Sequence, residues 1–378
     1  MDSLLTSLGA SAGGVNAGVA LRTECARALA NMWCHAGARA PHGSAATAAQ
    51  TLCQSWAADG DVGLQCEARR VRRNLSAVLS AAAVGGTTPP PLGAVPRIVY
   101  GDMIIPLYDD SDTSGTPDVD IVLVHGMHGS PISTWRHAGA PRITGRASDY
   151  WPAAWLAPDL AAAGVLARVM SIRFESSLFS HTSRHGHRPL SATAAHCTTQ
   201  LRAAGVGSRP VVWIAHSMGG LLTKQIVVDG GMRTTAGALF YSTPHGGSPM
   251  ARHGKFVSWL VTPSAQVEDL RIDNPKLRAL DDSFCRLARE LGARVHCVGE
   301  SRPTPLEIGS ISAMIVPSAV AACRCDSTEL EVLPQTDHID VCKPANKGDR
   351  RYKVALELVL DSVGQRARAS GAAPKVLK

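Results

Sequence analysis

Residues 211–220 read VVWIAHSMGG. An apolar run ends at His216, a serine follows, and after two glycines the stretch LLTKQIVV places apolar residues at helical spacing. This order predicts a strand, a tight turn and a helix, with Ser217 at the turn. Such a serine is either a nucleophile or a small polar residue that caps the helix.

The turn matches a sequence pattern that exposes a serine. A strained strand-to-helix elbow holds the hydroxyl above a sheet, next to a base and to backbone N–H donors, and its usual sequence is G-x-S-x-G. Here the five residues from Ala215 to Gly219 read AHSMG, so alanine replaces the first glycine. Alanine is still small, but its Cβ must accept the same tight approach. The pattern therefore favours a nucleophilic Ser217 and leaves the helix cap as the alternative.

Strand and helix patterns alternate on both sides of this turn. The predicted strands read RIVYGDMIIPL, VDIVLVHG, ARVMSIRF, VVWIAH, GALFYSTP, RVHCVGE and SAMIVPSAV. The predicted helices read WPAAWLAPDLAAAG, SATAAHCTTQLRAAG, LLTKQIVV, DDSFCRLARELG and RRYKVALELVLDSVG. We therefore predict an α/β fold, in which a mostly parallel sheet is covered by helices on both faces. Functional residues of such a sheet gather at the carboxyl ends of its strands.

Composition also divides the chain into segments. The alanine-rich beginning contains two stretches with helical periodicity, LRTECARALANMW and CEARRVRRNLSAVLSAA, which resemble helices of an armadillo-like repeat. Two such helices cannot bury a solenoid core alone, so they are a remnant packed on the main domain or a truncated array. The predicted organisation is a helical segment over 1–83, a Gly/Pro linker over 84–96, the α/β domain over 97–368 and a flexible tail over 369–378.

Composition excludes several classes of protein. The 378 residues carry a formal net charge of +7, and no run of lysine and arginine is long enough to form a nucleic-acid-binding stripe. We expect no nucleic-acid partner, while an anionic membrane surface suits the modest excess of positive charge. No segment offers the roughly twenty apolar residues that cross a bilayer. The start, MDSLLTSLGASAGG, has no basic region, so we expect an intracellular protein without a secretory signal.

The ten cysteines follow no disulfide framework. Cys25, Cys285 and Cys297 lie in apolar segments, where a free thiol behaves as a small hydrophobe. Cys323 and Cys325 form a close pair, but a C-x-C pair without a second pair or nearby histidines is a weak metal site. We therefore predict reduced thiols, no metal site and no cofactor.

Two predicted turns can supply backbone donors to an oxyanion. One strand ends in His125-Gly126-Met127, where a glycine-flanked turn can aim the N–H of Met127 at a developing negative charge. The second donor is the N–H of Met218, directly after the serine. The alternative for the first turn is a plain connection from strand to loop. We assign His125, Gly126 and His216 to substrate binding beside these donors.

The partners of a nucleophilic serine are expected later in the chain. In this sheet order the acid follows the serine, and the histidine follows the last strand. His338, in QTDHIDVCKP after the predicted strand SAMIVPSAV, is the predicted base. Glu300 ends the predicted strand RVHCVGE and is the predicted acid, because a carboxylate there can orient the imidazole. The alternatives for the acid are Asp273, Asp282, Asp337 and Asp340.

Residues 248–280 interrupt the alternation, and we predict that they form a cap over the carboxyl edge of the sheet. They include KFVSWLVTPSAQVEDL, in which Trp259 and its apolar neighbours can line an acyl pocket or enter a membrane surface. The alternative is that these side chains only pack the cap on the core. We assign Trp259 to substrate binding.

Five blocks carry a resemblance to a known family: VHGMHGSPISTWR, YWPAAWLAPDL, RPVVWIAHSMGGLLTKQIV, FYSTPHGGSPMA and DHIDVCKP. In this order they resemble the family of serine active site containing protein 1, among the α/β-hydrolases related to the GPI inositol-deacylase. The resemblance covers residues 97–365 and implies an α/β-hydrolase fold after an armadillo-like helical region. It implies Ser217 as nucleophile, His338 as base and Glu300 as acid. It also implies phosphatidylglycerol acyl-chain remodelling at mitochondrial and endoplasmic reticulum membranes.

These predictions combine into an expected function. We expect a serine hydrolase or acyltransferase that acts on lipid carboxylic esters and needs no metal ion or organic cofactor. Lipid esters are the expected substrates, and the N-terminal helices are a possible surface for protein partners. The alternative is a scaffold that keeps the fold and binds lipid or protein without hydrolysis, which the alanine at position 215 faintly favours.

Overall fold

A parallel sheet forms the centre of the molecule. The computed structural model describes residues 15–34, 44–83, 98–109, 115–141, 145–174, 189–247, 274–305, 312–325, 328 and 330–369. The strands within them are β1 (Ile104–Asp109), β2 (Val119–Val124), β3 (Ala167–Ile172), β4 (Val211–His216), β5 (Thr235–Tyr241), β6 (Arg294–Gly299), β7 (Thr304–Pro305), β8 (Ser312–Ala313) and β9 (Leu330–Val332). Seven of these form one sheet in the order β1-β3-β2-β4-β5-β6-β9. Only β1 runs antiparallel to its neighbour in this sheet.

Helices cover both faces of this sheet. The α-helices of the described residues are α1 (Val15–Cys34), α2 (Ser44–Ala57), α3 (Val62–Ala83), α4 (Ala157–Ala162), α5 (Leu190–Ala203), α6 (Met218–Asp229), α7 (Pro275–Leu291), α8 (Ser318–Ala321) and α9 (Arg350–Ala369). Helices α5, α6 and α7 pack on one face, against a core that includes Trp213 and Phe240. Helices α4 and α9 pack on the other face, together with Trp135 and Trp151.

Burial on both faces explains the sequence of the central strands. All residues of β2, β3, β4 and β5 are buried. Strands that are covered on both sides read as continuous apolar runs instead of alternating patterns. The predicted α/β fold, with a mostly parallel sheet between two layers of helices, is therefore confirmed.

The predicted strand SAMIVPSAV is wrong. Its first two residues form β8, which pairs only with β7 in a small separate sheet, and its last residues begin α8. The backbone N–H groups of Ile315 and Val316 donate to the Glu300 carboxylate, so they are not available to a strand ladder. Pro317 then supplies no N–H at all. The last strand of the main sheet is β9, which follows this segment and α8 in the chain.

The N-terminal segment contains three helices within its described residues, whereas the sequence predicted two. The additional helix, α2, reads SAATAAQTLCQSWA and offers few large apolar residues to reveal a helical face. The three helices share a small core that includes Trp33 and Trp56. The Asn74 amide of α3 joins this core to the α/β domain, because it donates to the Tyr100 carbonyl and accepts from the Tyr100 N–H. The armadillo-like character of the segment stays a prediction.

The expectation of a free thiol at Cys285 is also wrong. Cys285 of α7 and Cys325, which follows α8, form a disulfide, and their Cα atoms are 4.7 Å apart. The two residues are separated by 40 positions in the chain, so spacing alone gave no sign of this pair. Cys25 and Cys297 are free thiols, as expected.

Several predictions fall on residues outside the described ranges. These are the linker over 84–96, the tail from residue 370, and residues 248–273 of the cap, including Trp259. Residues 275–280 of the predicted cap begin α7. Among the described helices, none has the length and apolar character needed to cross a membrane.

Candidate active site

The turn after β4 has the strained backbone of an elbow. Ser217 lies between β4 and α6 with φ 55° and ψ −131°, a conformation that residues with a side chain rarely adopt. Two close approaches keep the turn tight. A Cβ at Gly219 would lie 2.3 Å from the carbonyl oxygen of His125, and one at Gly220 would lie 2.1 Å from Thr243 Oγ1. Only glycine therefore fits at these two positions.

The Ser217 side chain does not cap the following helix. It makes no capping hydrogen bond with α6, so the helix-cap alternative is wrong. Its Oγ lies 2.8 Å from Nε2 of His338 instead. Ala215, which replaces the first glycine of the usual pattern, is fully buried in the sheet core.

His338 connects Ser217 to Glu300. His338 Nδ1 lies 2.7 Å from Glu300 Oε2. Because a carboxylate only accepts hydrogen bonds, Nδ1 carries the proton of the neutral ring and Nε2 is free to accept from the serine hydroxyl. All three side chains are buried. The residues that the sequence proposed as nucleophile, base and acid thus lie in one hydrogen-bonded chain.

The Glu300 carboxylate is held on both oxygens. Oε1 accepts from the backbone N–H groups of Ile315 and Val316, at 2.9 and 3.1 Å, while Oε2 faces His338. Glu300 is only 1% exposed, so these bonds replace the water that an ionised carboxylate would lose on burial. The segment that had been predicted as a strand therefore supplies donors to the acid. The amino-acid composition of this segment gives no sign that its N–H groups bind a carboxylate.

The alternative acids lie elsewhere. Asp337 accepts from the N–H groups of Ile339 and Asp340 within its own turn. Asp282 contacts Arg324 on the surface. Asp273 lies outside the described residues. Glu300 is the carboxylate that contacts His338.

Two further residues fix the position of His338, and the sequence did not identify their role. Thr304 Oγ1 accepts from the His338 backbone N–H at 3.0 Å. His216 Nε2 donates to the His338 carbonyl oxygen at 2.8 Å. Burial, and then the neighbouring His338, lower the pKa of His216 well below its ordinary value, so the ring is neutral. His216 was assigned to substrate binding, but its described contact is with the loop of His338.

The turn after β2 lies against the elbow. A Cβ at Gly126 would be 2.7 Å from the Ser217 Cβ, so the absence of a side chain allows this approach. Met127 follows directly, and Met218 is the first residue of α6, where helix geometry leaves backbone N–H groups without intrahelical partners. Both predicted oxyanion donors thus belong to turns that meet at Ser217.

His125 is a buried part of this turn. Its Nδ1 donates to the Gly126 carbonyl at 2.8 Å, and its ring stacks on Phe174 with centroids 4.3 Å apart. Burial lowers the pKa of His125 to about 4. Its Nε2 has no partner within the part of the chain that the structure describes. His125 therefore supports the turn as a neutral ring.

Comparisons with known proteins agree with this architecture. Protein SERAC1 of Danio rerio is 32% identical over 290 residues, which cover 71% of this chain and 43% of that protein. Protein SERAC1 of Homo sapiens is 30% identical over 285 residues, which cover 70% of this chain and 42% of that protein. These relatives confirm the resemblance that the five sequence blocks indicated. The chain spans less than half the length of the curated relatives that it matches.

The chain also matches a solved structure and a family model. Phospholipase PlaB from Legionella pneumophila, solved in complex with thio-NAD, matches with a TM-score of 0.49 and 15% identity, over 66% of this chain and 61% of that chain. The model of the alpha/beta hydrolase family matches residues 121–342, which include both turns, Glu300 and His338. The chain belongs to the alpha/beta hydrolase family.

Proposed function

We propose that this chain is a serine esterase that cleaves carboxylic esters of lipids. The observation that carries the proposal is the hydrogen-bonded chain from Glu300 through His338 to Ser217, with distances of 2.7 and 2.8 Å. A hydroxyl that donates to a neutral imidazole, which a buried carboxylate orients, is the arrangement that activates a serine nucleophile.

The reaction follows from this arrangement. Nε2 of His338 takes the Ser217 proton as Oγ bonds to the ester carbonyl carbon, and the backbone N–H groups of Met127 and Met218 stabilise the resulting oxyanion. The protonated ring then gives its proton to the leaving alkoxide, and an acyl-serine remains. Water attacks the acyl carbon with His338 again as base, and the acid and free Ser217 are released.

Glu300 acts through His338. Its charge stabilises the imidazolium that forms in each half of the reaction, and its position selects the tautomer with the proton on Nδ1. The two N–H donors from Ile315 and Val316 keep the carboxylate in place. No metal ion or organic cofactor has a role in these steps.

Lipid esters are the substrate class that the composition favours. Met127 is an apolar residue of the turn after β2, which is the proposed oxyanion turn. Ile339 directly follows His338, and its side chain is 41% exposed. The sequence of residues 255–261, KFVSWLV, is apolar enough to contribute acyl contacts. The net charge of +7 favours substrates at anionic membrane surfaces.

A finer proposal rests on the resemblance to serine active site containing protein 1. We propose a phospholipid substrate, phosphatidylglycerol, whose acyl chains are exchanged at mitochondrial or endoplasmic reticulum membranes. In that case a lysolipid hydroxyl replaces water as the acceptor of the acyl group. The competing scaffold function predicts that the side chains of Ser217 and His338 lie far apart. The distance of 2.8 Å between Ser217 Oγ and His338 Nε2 argues against the scaffold.

Labelling by a fluorophosphonate probe tests the esterase directly. We expect the wild-type chain to be labelled, and Ser217→Ala and His338→Ala to lose the label. Ser208→Ala and His196→Ala are matched controls, because both residues are exposed and lie away from the elbow. If the folded wild-type chain stays unlabelled, the esterase proposal is wrong and the scaffold function takes its place.

Substrate vesicles test the finer proposal. We expect release of fatty acid from phosphatidylglycerol vesicles to exceed release from phosphatidylcholine vesicles, and to disappear in Ser217→Ala. Mass spectrometry with an added labelled lysolipid distinguishes transfer from hydrolysis. Equal rates on both headgroups, with a labelled Ser217, would remove the headgroup preference and keep the esterase.

A further inference from the structure

Three cysteine sulfurs form a compact group where α7 meets the segment that follows α8. Cys285 belongs to α7, and Cys323 and Cys325 follow α8. Their Sγ atoms all lie within 4.8 Å of one another. Cys285 and Cys323 are buried, and Cys325 is partly buried. The disulfide joins Cys285 to Cys325, so Cys323 is a third sulfur beside it.

A hydrogen bond besides the disulfide holds the segment of Cys323 and Cys325 next to α7. Asp281 lies one helical turn before Cys285, and its Oδ2 accepts from the Arg324 N–H at 3.0 Å. This bond holds the residue between Cys323 and Cys325 against α7.

A second layer of buried polar groups surrounds the sulfurs. Cys297 belongs to the same core as Cys323, and its Sγ lies 3.6 Å from His245 Nε2. His245 Nδ1 lies 2.6 Å from Lys224 Nζ, and Lys224 pairs with Asp281. All of these side chains are buried. Hydrogen bonds that orient the ligands and a nearby balancing charge are typical of the outer layer of a metal site.

We propose that Cys285, Cys323 and Cys325 bind a zinc ion when the disulfide is reduced. Two molecules of a thiol reductant convert the disulfide into two thiols and are themselves joined as a disulfide. The three thiols then lose three protons to solvent as their sulfurs coordinate Zn²⁺. Thiolate ligands favour zinc over calcium, magnesium or manganese because they are soft donors.

The geometry suits this ion. Tetrahedral zinc with Zn–S bonds of about 2.3 Å separates its sulfurs by about 3.8 Å. The sulfurs of Cys285 and Cys325 must therefore move apart once the disulfide is reduced, while all three sulfurs already lie within 4.8 Å of one another. Three thiolates and Zn²⁺ leave one negative charge, next to the Lys224 ammonium. Asp281 Oδ1 lies 3.8 Å from Cys285 Sγ and is a candidate for a fourth ligand. The sequence alone had given Cys323 and Cys325 too few partners for a metal site.

The site connects two elements that support the candidate active site. Residues 312–325 carry the two N–H donors of Glu300 at one end and two of the cysteines at the other. A zinc ion shared with α7 would hold this segment in the reduced protein as the disulfide does in the oxidised one. The proposal does not depend on the esterase, because zinc binding is measured without a substrate.

Zinc content tests the proposal. The full chain is purified with a non-thiol phosphine reductant, supplied with zinc, passed through a desalting column and analysed by elemental mass spectrometry. We expect one zinc ion per chain in the wild type. Competition with a chromophoric chelator should show at least tenfold weaker binding in Cys323→Ala. Cys197→Ala is the matched control, because Cys197 is a buried free thiol of α5, and it should bind like the wild type.

Two further measurements keep the test independent of variant folding. Cobalt added to the reduced wild-type chain should give the sulfur-to-metal absorption band of thiolate coordination. Intact mass after thiol alkylation reports whether the disulfide has opened. Reduced wild type that holds no more zinc than Cys323→Ala, or cobalt without a thiolate band, would overturn the proposal and leave a disulfide with a neighbouring thiol.

Discussion

His216 donates a hydrogen bond from Nε2 to the backbone carbonyl oxygen of His338, 2.8 Å away. The two rings are neighbours, with centroids 4.9 Å apart. One of these residues precedes Ser217 in the elbow, and the other is the proposed base. The bond therefore ties the loop of the base directly to the strand that ends at the nucleophile.

We predict that His216 is a positioning residue. His216→Ala removes the donor and leaves a buried carbonyl unpaired, so His338 can move away from Ser217. A displacement of the base lowers the rate of reaction, here on the order of tenfold to a hundredfold in kcat, with a smaller change in KM. Ester hydrolysis at saturating substrate is the measurement.

His216→Gln separates positioning from general packing. Its side-chain N–H can reach the same carbonyl, so we expect it to recover part of the lost kcat. An Ala variant with unchanged kcat would show that the bond has no influence on the base. A Gln variant as slow as the Ala variant would point to packing of the ring instead.

We predict that the elbow requires glycine at position 126. In Gly126→Ala the new Cβ would lie 2.7 Å from the Ser217 Cβ, closer than carbon atoms can approach, and 3.1 Å from the His216 carbonyl oxygen. Since both neighbours belong to the strained turn, the turn itself must move, and fluorophosphonate labelling should fall by at least a hundredfold.

Gly60→Ala is the matched control for this substitution. A Cβ at Gly60 would have no heavy atom within 4 Å, so labelling should stay at the wild-type level. Thermal unfolding of both variants shows whether the effect is local. A Gly126→Ala chain that labels normally would contradict the close approach of the two turns.

The elbow was predictable because its constraints are local. A strand, a strained serine and small residues follow one another directly in the sequence. Glu300 was predictable for a similar reason, because it directly follows the last residue of β6. The donors to Glu300 were not predictable, since Ile315 and Val316 lie in an apolar segment whose composition is that of a strand. Their N–H groups bind a carboxylate instead of a neighbouring strand, and only the tertiary structure decides between these partners.

The disulfide and the third N-terminal helix have related explanations. Cys285 and Cys325 meet through the packing of α7, and no local pattern records a contact over 40 positions. Helix α2 is rich in alanine and serine, so its buried face carries little hydrophobic contrast. In both cases the information lies in contacts between elements.

We predict that the chain becomes less stable as the pH falls below 6.5. Burial lowers the pKa of His125 from 6.5 to about 4, so between these values the unfolded chain binds a proton that the folded chain does not. The free energy of unfolding therefore decreases as the solution is acidified, and the stability is fully present only above pH 6.5. For His125 alone the loss between pH 7.5 and pH 5 is about 2 kcal/mol.

Denaturant unfolding at several pH values measures this effect. His216 and His245 add to it in the same direction, since burial lowers the pKa of each. His125→Asn keeps a donor near the Gly126 carbonyl but does not titrate, so the pH dependence should become shallower by about 2 kcal/mol over the same interval. An equally steep dependence in this variant would show that His125 is not the titrating group.

We predict that the charge of Glu300 is essential to the reaction. Glu300→Gln can still accept from Ile315 and Val316 through its carbonyl oxygen, but its amide would donate to His338 and select the wrong tautomer. Loss of the carboxylate also removes the stabilisation of the imidazolium, so kcat should fall by about a thousandfold or more. Glu331→Gln is the matched control, because Glu331 of β9 contacts a histidine of β6, His296, at 3.1 Å. Steady-state ester hydrolysis by the two variants compares a glutamate–histidine pair inside the site with one outside it. If both variants kept wild-type kcat, Glu300 would be a structural carboxylate, and the proposed mechanism would need another acid.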